Sequence, residues 1–228
     1  MPILTVIAGP NGSGKSTLTN MLVQQGVSFG DYLNADDIAN TLVGSPSEVS
    51  ARAQMIVREK RDLALAEGRD HAFETVMSHP SHIDYMAKAA SHGFSVKLYF
   101  VATEDPVLNI DRVANRVLHG GHDVPVERIV NRYYRCLSNL KDAIKAAEYS
   151  EIFDNSSVDR PLRWLASIYN PRSSHIPDAA LSKMQLFHIH VARSVRNQRV
   201  DPSDIPVWWL EILMQIKSDD PFADGSTI

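Results

Sequence analysis

The feature that most constrains this chain is its beginning, where a short apolar run over residues 3–8 leads into the glycine-rich segment GPNGSGKST. This segment satisfies the pattern G-x-x-x-x-G-K-[ST] at every fixed position. A glycine-rich loop can turn successive N–H groups toward an anion, and a helix that starts there adds its positive dipole end. The pattern therefore predicts a strand–loop–helix unit that binds the phosphates of a nucleoside triphosphate.

Within this unit, Lys15 is predicted to reach the β- and γ-phosphates, and the Ser16 hydroxyl is predicted to ligate Mg²⁺. A plain glycine-rich turn between a strand and a helix is the alternative interpretation. The helical spacing of Leu18, Met21 and Leu22 after the loop favours the phosphate-binding one. The predicted nucleotide-binding residues are Gly9, Pro10, Asn11, Gly12, Ser13, Gly14, Lys15, Ser16 and Thr17.

Composition bounds the classes of function. The 228 residues are 44% hydrophobic, which suffices for one α/β domain with additional structure. The formal net charge of −4 argues against a general nucleic-acid or membrane-surface binder. The one cysteine, Cys136, can form no internal disulfide, and neither a signal peptide nor an apolar membrane span is apparent, so a cytoplasmic setting is expected.

Strand and helix patterns alternate through the first three quarters of the chain. This alternation predicts a doubly wound α/β fold, with about five parallel strands and helices on both faces. Strands are predicted at 3–8, 32–33, 72–76, 94–102 and 151–155, with a further edge strand at 164–169. Helices are predicted at 15–25, 45–65, 78–92, 105–119 and 125–147.

The pattern changes after residue 170, so the chain is divided into a kinase-like domain, 1–170, and a helical C-terminal extension, 171–228. Helices are expected at 178–199 and 205–217. His188 and His190 are interpreted as helix surface. The Trp208-Trp209 pair is expected to dock the last helix on the core or on a second subunit.

Asp36 follows the second predicted strand, where the ends of parallel strands face the ligand crevice. A carboxylate there can accept the proton of a substrate hydroxyl group. The alternative for Asp36, and the favoured interpretation for Asp37, is that the side chain caps the next helix.

Glu74 and Thr75 end the third predicted strand. The pair is predicted to hydrogen-bond a polyol or sugar substrate, or to hold Mg²⁺ through water. A strand-end turn is the alternative.

Five arginines and no lysine lie between residues 112 and 135. Arginine suits bidentate contacts with phosphate, so two arginine-bearing helices around the turn from His119 to His122 predict a lid over the triphosphate. A solvated face paired with Asp111, Asp123 and Glu127 is the alternative. The five are Arg112, Arg116, Arg128, Arg132 and Arg135.

With these motifs together, residues 3–169 resemble the zeta-toxin family of small P-loop kinases. The resemblance depends on the segments AGPNGSGKST, NADDIA, FET, DRVANRVLHGGHDVP and VNRYYRCLSNL. It implies transfer of the γ-phosphate of ATP, with Mg²⁺, to a hydroxyl of a UDP-activated N-acetyl amino sugar, and an antitoxin protein as a partner.

The resemblance also implies a role for each site residue. Lys15 becomes a phosphate ligand, Ser16 a Mg²⁺ ligand and Asp36 the general base. Glu74 and Thr75 become substrate contacts, and Arg112 and Arg116 become lid arginines. Founding members carry a further lid arginine where this chain has His122. Either Arg116 or Arg132 is expected to supply that charge, or the γ-phosphate is held differently.

The sequence therefore predicts an ATP- and Mg²⁺-dependent small-molecule kinase. A nucleoside, nucleotide or polynucleotide-end kinase is the alternative among enzymes, because the same loop, base and lid would serve it. An ATP-dependent switch or binding module is the alternative outside enzymes.

Overall fold

The computed structural model of the protein describes residues 1–121, 123–169 and 205–218. Its strands are β1 (Ile3–Ala8), β2 (Asp31–Leu33), β3 (His71–Thr75), β4 (Ser95–Ala102), β5 (Tyr149–Asp154) and β6 (Arg163–Tyr169). Its helices are α1 (Lys15–Gln24), α2 (Ala35–Ala39), α3 (Pro46–Ala66), α4 (Ser81–Ser91), α5 (Pro106–Leu118), α6 (Val126–Ala146) and α7 (Val207–Ser218).

The strands form one six-stranded sheet in the order β2-β3-β1-β4-β5-β6. The first five strands are parallel, and β6 runs antiparallel to β5 at the edge. The predicted α/β fold with about five parallel strands is confirmed, as is the added edge strand. Because β1 lies between β3 and β4, the loops after these three strands lie side by side at the carboxyl edge of the sheet.

Helices cover both faces of the sheet, as the near-continuous apolar strands require. On one face, α3, α4, α6 and α7 bury Leu65, Met86, Leu140 and Trp209 against the strands. On the other face, α1 packs through Leu18 and Leu22. The carboxyl edge between these two layers is left to loops and helix ends, and there the predicted site residues converge.

The helix ends follow recognisable local rules. Helix α3 starts at a capping box, in which Ser45 and Glu48 satisfy each other's backbone N–H groups, with Pro46 at the first helical position. Helix α5 starts with a side-chain cap, because the carboxylate of Asp105 accepts from the N–H of Val107. Pro106 stands at the first helical position.

Helix α7 packs on the core of the domain. Trp208, Trp209 and Ile212 are buried in the same apolar cluster as β4 and α6. In the structure, Trp208 and Trp209 therefore pack against the core of the domain. The helix predicted at 178–199, with His188 and His190, lies outside the described residues, and the division at residue 170 stays a prediction. None of the described helices is both long and apolar enough to cross a membrane.

Candidate nucleotide-binding and active site

The phosphate-binding loop, residues 9–14, joins β1 to α1 at the carboxyl edge of the sheet. Its first residue, Gly9, donates its N–H to the carbonyl of Thr75 at the end of β3, at 3.2 Å. Helix α1 begins at Lys15 without a side-chain cap and without an acidic residue in its first turn. Its first N–H groups and its positive dipole end are therefore left to an anion, as a phosphate site requires.

Two glycines of this loop are required by close approach as well as by conformation. Gly12 has φ 75°, and a Cβ atom there would lie 2.6 Å from the carbonyl oxygen of Asn109. Gly14 has φ 100°, and a Cβ atom there would lie 2.3 Å from Nδ2 of Asn155. Both positions combine a left-handed backbone with a neighbour that leaves room for hydrogen alone.

Two asparagine side chains hold the loop from outside. Nδ2 of Asn109, on α5, donates to the carbonyl of Asn11 at 2.7 Å. Nδ2 of Asn155, just after β5, donates to the carbonyl of Ser13 at 2.8 Å, and its Oδ1 accepts from the N–H of Leu162. Because these carbonyls are occupied on the outer side, the loop N–H groups are free to face inward.

The sequence interpretation did not identify either asparagine. Asn155 had a usable signal, because it is a polar residue directly after a buried strand, at the edge where the phosphate-binding loop lies. Asn109 had none, because a single polar residue within an amphipathic helix usually faces water.

Lys15 lies over the loop. Its Nζ donates to the carbonyls of Gly9 at 2.9 Å and Pro10 at 3.0 Å. Burial lowers the pKa of Lys15, the negative charges of Glu74 and Asp36 act in the opposite direction, and the positive charge of Arg116 lowers the pKa further. Three other predicted site residues therefore lie within electrostatic reach of Lys15.

Glu74 is fixed at the end of β3 by two hydroxyl groups. Its Oε1 accepts from Thr19 Oγ1 at 2.9 Å and from Tyr32 OH at 2.5 Å. Burial and the bond to Glu74 raise the pKa of Tyr32, so Tyr32 stays a donor at neutral pH. The carboxylate of Glu74 is thus held in place on the face of the sheet that α1 covers.

Thr75 is placed differently from Glu74. It is buried, and its Oγ1 accepts from the N–H of Met77 at 2.9 Å within the turn after β3. Adjacent residues of a strand point to opposite faces, so Glu74 and Thr75 do not present their side chains to one surface. The structure favours the strand-end turn for Thr75.

Asp36 lies in the first turn of α2 rather than at the end of β2, which stops at Leu33. The cap of this helix is Asn34, whose Oδ1 accepts from the N–H of Asp36 at 2.9 Å. The capping interpretation of Asp36 and Asp37 was therefore wrong. Both carboxylates are exposed, and the negative charge of Asp36 raises the pKa of Lys15.

The arginines divide into two groups. Arg112 is half-buried on α5, and its Nη1 is buried without a hydrogen-bond partner among the described residues. Arg116 lies one turn further along and acts on Lys15. On α6, Arg132 is half-buried, whereas Arg128 and Arg135 are exposed. His122 lies outside the described residues.

The donors at the site fit ATP with Mg²⁺. The buried Ser13 hydroxyl has no hydrogen-bond partner within the described part of the chain, so it is able to donate to a phosphate oxygen. Asn11 Oδ1 is also buried without a partner there, but as an amide oxygen it can only accept. The Ser16 hydroxyl and the Glu74 carboxylate are hard oxygen donors, as Mg²⁺ prefers. No group of three or more His, Cys, Asp or Glu suited to a metal ion occurs among the described residues.

A family model described as an AAA domain matches residues 4–137, which is more than half of the chain. The protein belongs to the AAA domain family. The matched segment of this AAA domain contains the phosphate-binding loop, Asp36, Glu74 and the arginines of α5. No curated protein sequence matches the chain.

Solved structures share the fold of this AAA domain at low sequence identity. The complex of AvrRxo1-ORF1 and -ORF2 with ATP matches with TM-score 0.59 and 16% identity, over 81% of this chain and 63% of that chain. The same complex with sulphate ions matches with TM-score 0.60 and 14% identity, over 95% of this chain and 76% of that chain. The first of these matches thus spans less than two thirds of its relative's length.

A third structure comes from the PezAT chromosomal toxin-antitoxin system of Streptococcus pneumoniae. It matches with TM-score 0.51 and 15% identity, over 86% of this chain and 88% of that chain. Together with the family, these likenesses show a P-loop kinase-like fold.

Proposed function

We propose that this AAA domain is a kinase that transfers the γ-phosphate of ATP to a hydroxyl group of a small molecule. The observation that carries the proposal is the arrangement around Lys15, where Asp36 and Glu74 bring negative charge and Arg116 brings positive charge to the end of the phosphate-binding loop. A module that only binds ATP needs the loop but has no need of an exposed carboxylate beside it.

The chain's own residues divide the work of phosphoryl transfer. Loop N–H groups and Lys15 bind the phosphates, and Glu74, fixed by Thr19 and Tyr32, orients the acceptor or a cation-bound water. Asp36 accepts the proton of the acceptor hydroxyl group while the oxygen of that hydroxyl bonds to the γ-phosphorus. The bond from that phosphorus to the bridging oxygen breaks, and ADP leaves.

Arg112 and Arg116 neutralise charge on the transferring group. Mg²⁺, when bound, would supply further charge neutralisation, with Ser16 as its protein ligand. Arg132, half-buried on α6, is the candidate for a third cationic contact with the phosphates.

The resemblance to zeta toxins supports a UDP-activated N-acetyl amino sugar as the acceptor and an antitoxin protein as a partner, in a cytoplasmic setting. In this proposal Glu74 contacts the sugar, whereas Thr75 supports the turn after β3.

Transfer of radiolabelled γ-phosphate to UDP-N-acetylglucosamine, nucleosides and oligonucleotide ends tests the proposal directly. Asp36→Asn is expected to keep ATP affinity and lower transfer by roughly a hundredfold or more, the scale of a general base. The adjacent exposed Asp37→Asn is the matched control and should keep full activity.

Each contrary result has a definite meaning. Transfer to a nucleoside or an oligonucleotide end, with none to a UDP-sugar, would make the protein a nucleoside or polynucleotide-end kinase. ATP binding without transfer to any acceptor would make it a switch or binding module. Wild-type turnover in Asp36→Asn would remove Asp36 from catalysis.

A further inference from the structure

Helix α5 touches the phosphate-binding loop directly. At Gly12 the backbone of the loop lies so close to Asn109 that an added Cβ atom would be 2.6 Å from the Asn109 carbonyl oxygen. The Asn109 side chain is fully buried, and it donates to the carbonyl of Asn11 at 2.7 Å. Its Oδ1 accepts from Oγ1 of Thr103, one residue after β4. The carboxamide of Asn109 thus joins the loop, α5 and the end of β4.

The same face of α5 carries the two arginines. Asn109, Arg112 and Arg116 stand at i, i+3 and i+7, so their side chains lie within about 60° of one another around the helix axis. Exposure increases along this row, from buried Asn109 through half-buried Arg112 to exposed Arg116. The helix is therefore anchored where it contacts the loop, and the two arginines follow in the C-terminal half of the helix.

Each arginine has a property that suits a phosphate contact. Arg116 lowers the pKa of Lys15, so its charge reaches the loop. Nη1 of Arg112 is buried with no hydrogen-bond partner in the described part of the chain, although a buried guanidinium donor normally has one. A phosphate oxygen is an acceptor that would satisfy it.

We propose that Asn109 is a positioning residue, which fixes α5 against the phosphate-binding loop and thereby sets where Arg112 and Arg116 meet the phosphates of ATP. The inference rests on the proposed function in taking ATP as the ligand of these arginines. Without the Asn109 bond, the Asn11 carbonyl loses its partner and α5 can shift on the loop. A shift of about 1 Å at a reacting group can cost roughly a hundredfold in rate.

Asn109→Leu tests the proposal, because leucine has a similar volume and cannot donate to Asn11. We expect its turnover number to fall by about tenfold to a hundredfold, and its preference for ATP over ADP to fall with it. Asn115→Leu, exposed on the same helix, is the matched control and should leave both unchanged. Thr103→Val keeps Asn109 and removes the hydroxyl that orients it, so it should give a smaller loss in the same direction.

A combined variant separates positioning from general stability. If Asn109 acts through the two arginines, then adding Asn109→Leu to a variant with both Arg112→Ala and Arg116→Ala should lower turnover by no more than about twofold further. A further loss as large as that of Asn109→Leu in the wild-type background, or an unchanged ATP-to-ADP preference in Asn109→Leu, would overturn the proposal. If Asn109→Leu does not fold, Thr103→Val and its combination with the two arginine changes decide by the same criteria.

The nucleotide-affinity readout is independent of any acceptor. Calorimetric dissociation constants for ATP and ADP need no phosphate transfer. If the wild-type protein transfers no phosphate, the proposed kinase function fails, while the ATP-to-ADP preference of these variants still decides the role of Asn109.

Discussion

At the scale of single residues, the phosphate-binding loop is shaped by contacts on its outer surface. Gly14 lies against Nδ2 of Asn155, which holds the carbonyl of Ser13. Lys15 spans the loop and is bonded to two of its carbonyls. We therefore expect the loop to be disturbed by a methyl group added at Gly14 and by removal of the Lys15 ammonium group.

Lys15→Ala should abolish phosphate transfer and weaken ATP binding strongly, because the motif places no other lysine against the β- and γ-phosphates. Lys60→Ala, exposed on α3, is the matched control. Calorimetry that finds wild-type ATP affinity in Lys15→Ala would contradict the assignment of this loop.

Gly14→Ala should weaken ATP binding more than it weakens the fold. The added Cβ atom would lie 2.3 Å from Asn155 Nδ2 and would push this amide off Ser13. Gly68→Ala is a matched control, since Gly68 also has a positive φ, 65°, but has nothing within 4 Å of an added Cβ. Both variants should lose about 1 kcal/mol of stability from backbone strain. Equal ATP affinity in the two would show that the Asn155 contact is unimportant.

At the scale of secondary-structure elements, the turn that follows α5 packs against Arg116. Gly121 donates its N–H to the carbonyl of Arg116 at 2.9 Å. An added Cβ atom at Gly121 would lie 2.5 Å from Cγ of Arg116. The turn after α5 thus helps to set the direction of the Arg116 side chain.

Gly121→Ala should therefore reproduce part of the loss seen in Arg116→Ala. For Arg116→Ala we expect kcat to fall tenfold to a thousandfold with folding intact, the usual range for charge-stabilising donors. Gly121→Ala should lower kcat by a smaller factor. Exposed Arg128→Ala serves as the control. A kcat within twofold of wild type in Arg116→Ala would make Arg132 the next candidate.

Helix α4 docks beside α3 through a cluster with an excess of positive charge. The Arg61 guanidinium lies 3.8 Å from the centre of the Tyr85 ring, and the His82 ring packs on Phe73. Burial, with the nearby charges of Arg61, His79 and Arg58, lowers the pKa of His82 to about 4. His82 is thus neutral in the folded protein at pH 5, where it is protonated in the unfolded chain.

This difference makes His82 a source of acid sensitivity. As the pH falls from 7 to 5, the unfolded chain takes up a proton at His82 and the folded protein does not, so stability should fall by about 2 kcal/mol from this group. Between the same two pH values, the stability of His82→Gln should fall by about 2 kcal/mol less than that of the wild-type protein. Urea unfolding at the two pH values measures it, and identical losses in both proteins would refute the assignment.

At the scale of the whole molecule, the last described helix is part of the main core. Trp209 is fully buried and packs in the same cluster as β4 and α6. Helix α7 therefore contributes to the stability of the domain that holds the site.

Trp209→Ala should lower the free energy of unfolding by about 3–5 kcal/mol, the usual cost of removing a buried tryptophan. Met214→Ala, on an exposed position of the same helix, should change it by less than about 0.5 kcal/mol. Denaturant titration measures both. A loss below 1 kcal/mol in Trp209→Ala would mean that α7 is not a structural part of the core.

The sequence by itself determined the elements and the loop. Alternating apolar runs, caps such as Ser45–Glu48 and glycine stops act within a few residues, so the strands and the longer helices could be predicted from local patterns. The short helix α2 was not among the predicted helices, because five residues are too few to show a helical period. The fixed spacing of the phosphate-binding loop identified its ligand class for the same reason. The parallel sheet followed, because helices between successive strands leave few other arrangements.

Tertiary structure alone decided which side chains meet. Asn109 and Asn155 contact the loop from 98 and 142 residues away along the chain, and no local pattern records such a contact. The adjacent Glu74 and Thr75 were predicted to act together, but strand geometry sends them to opposite faces, and Thr75 serves its own turn. Asp36 proved not to be a cap, because Asn34 takes that position. The roles of the two asparagines thus depend on partners that only the packing of distant elements brings within hydrogen-bond reach. Thr75 and Asn34 instead bond residues two positions away, where several local arrangements were open and the backbone of the folded chain selects one.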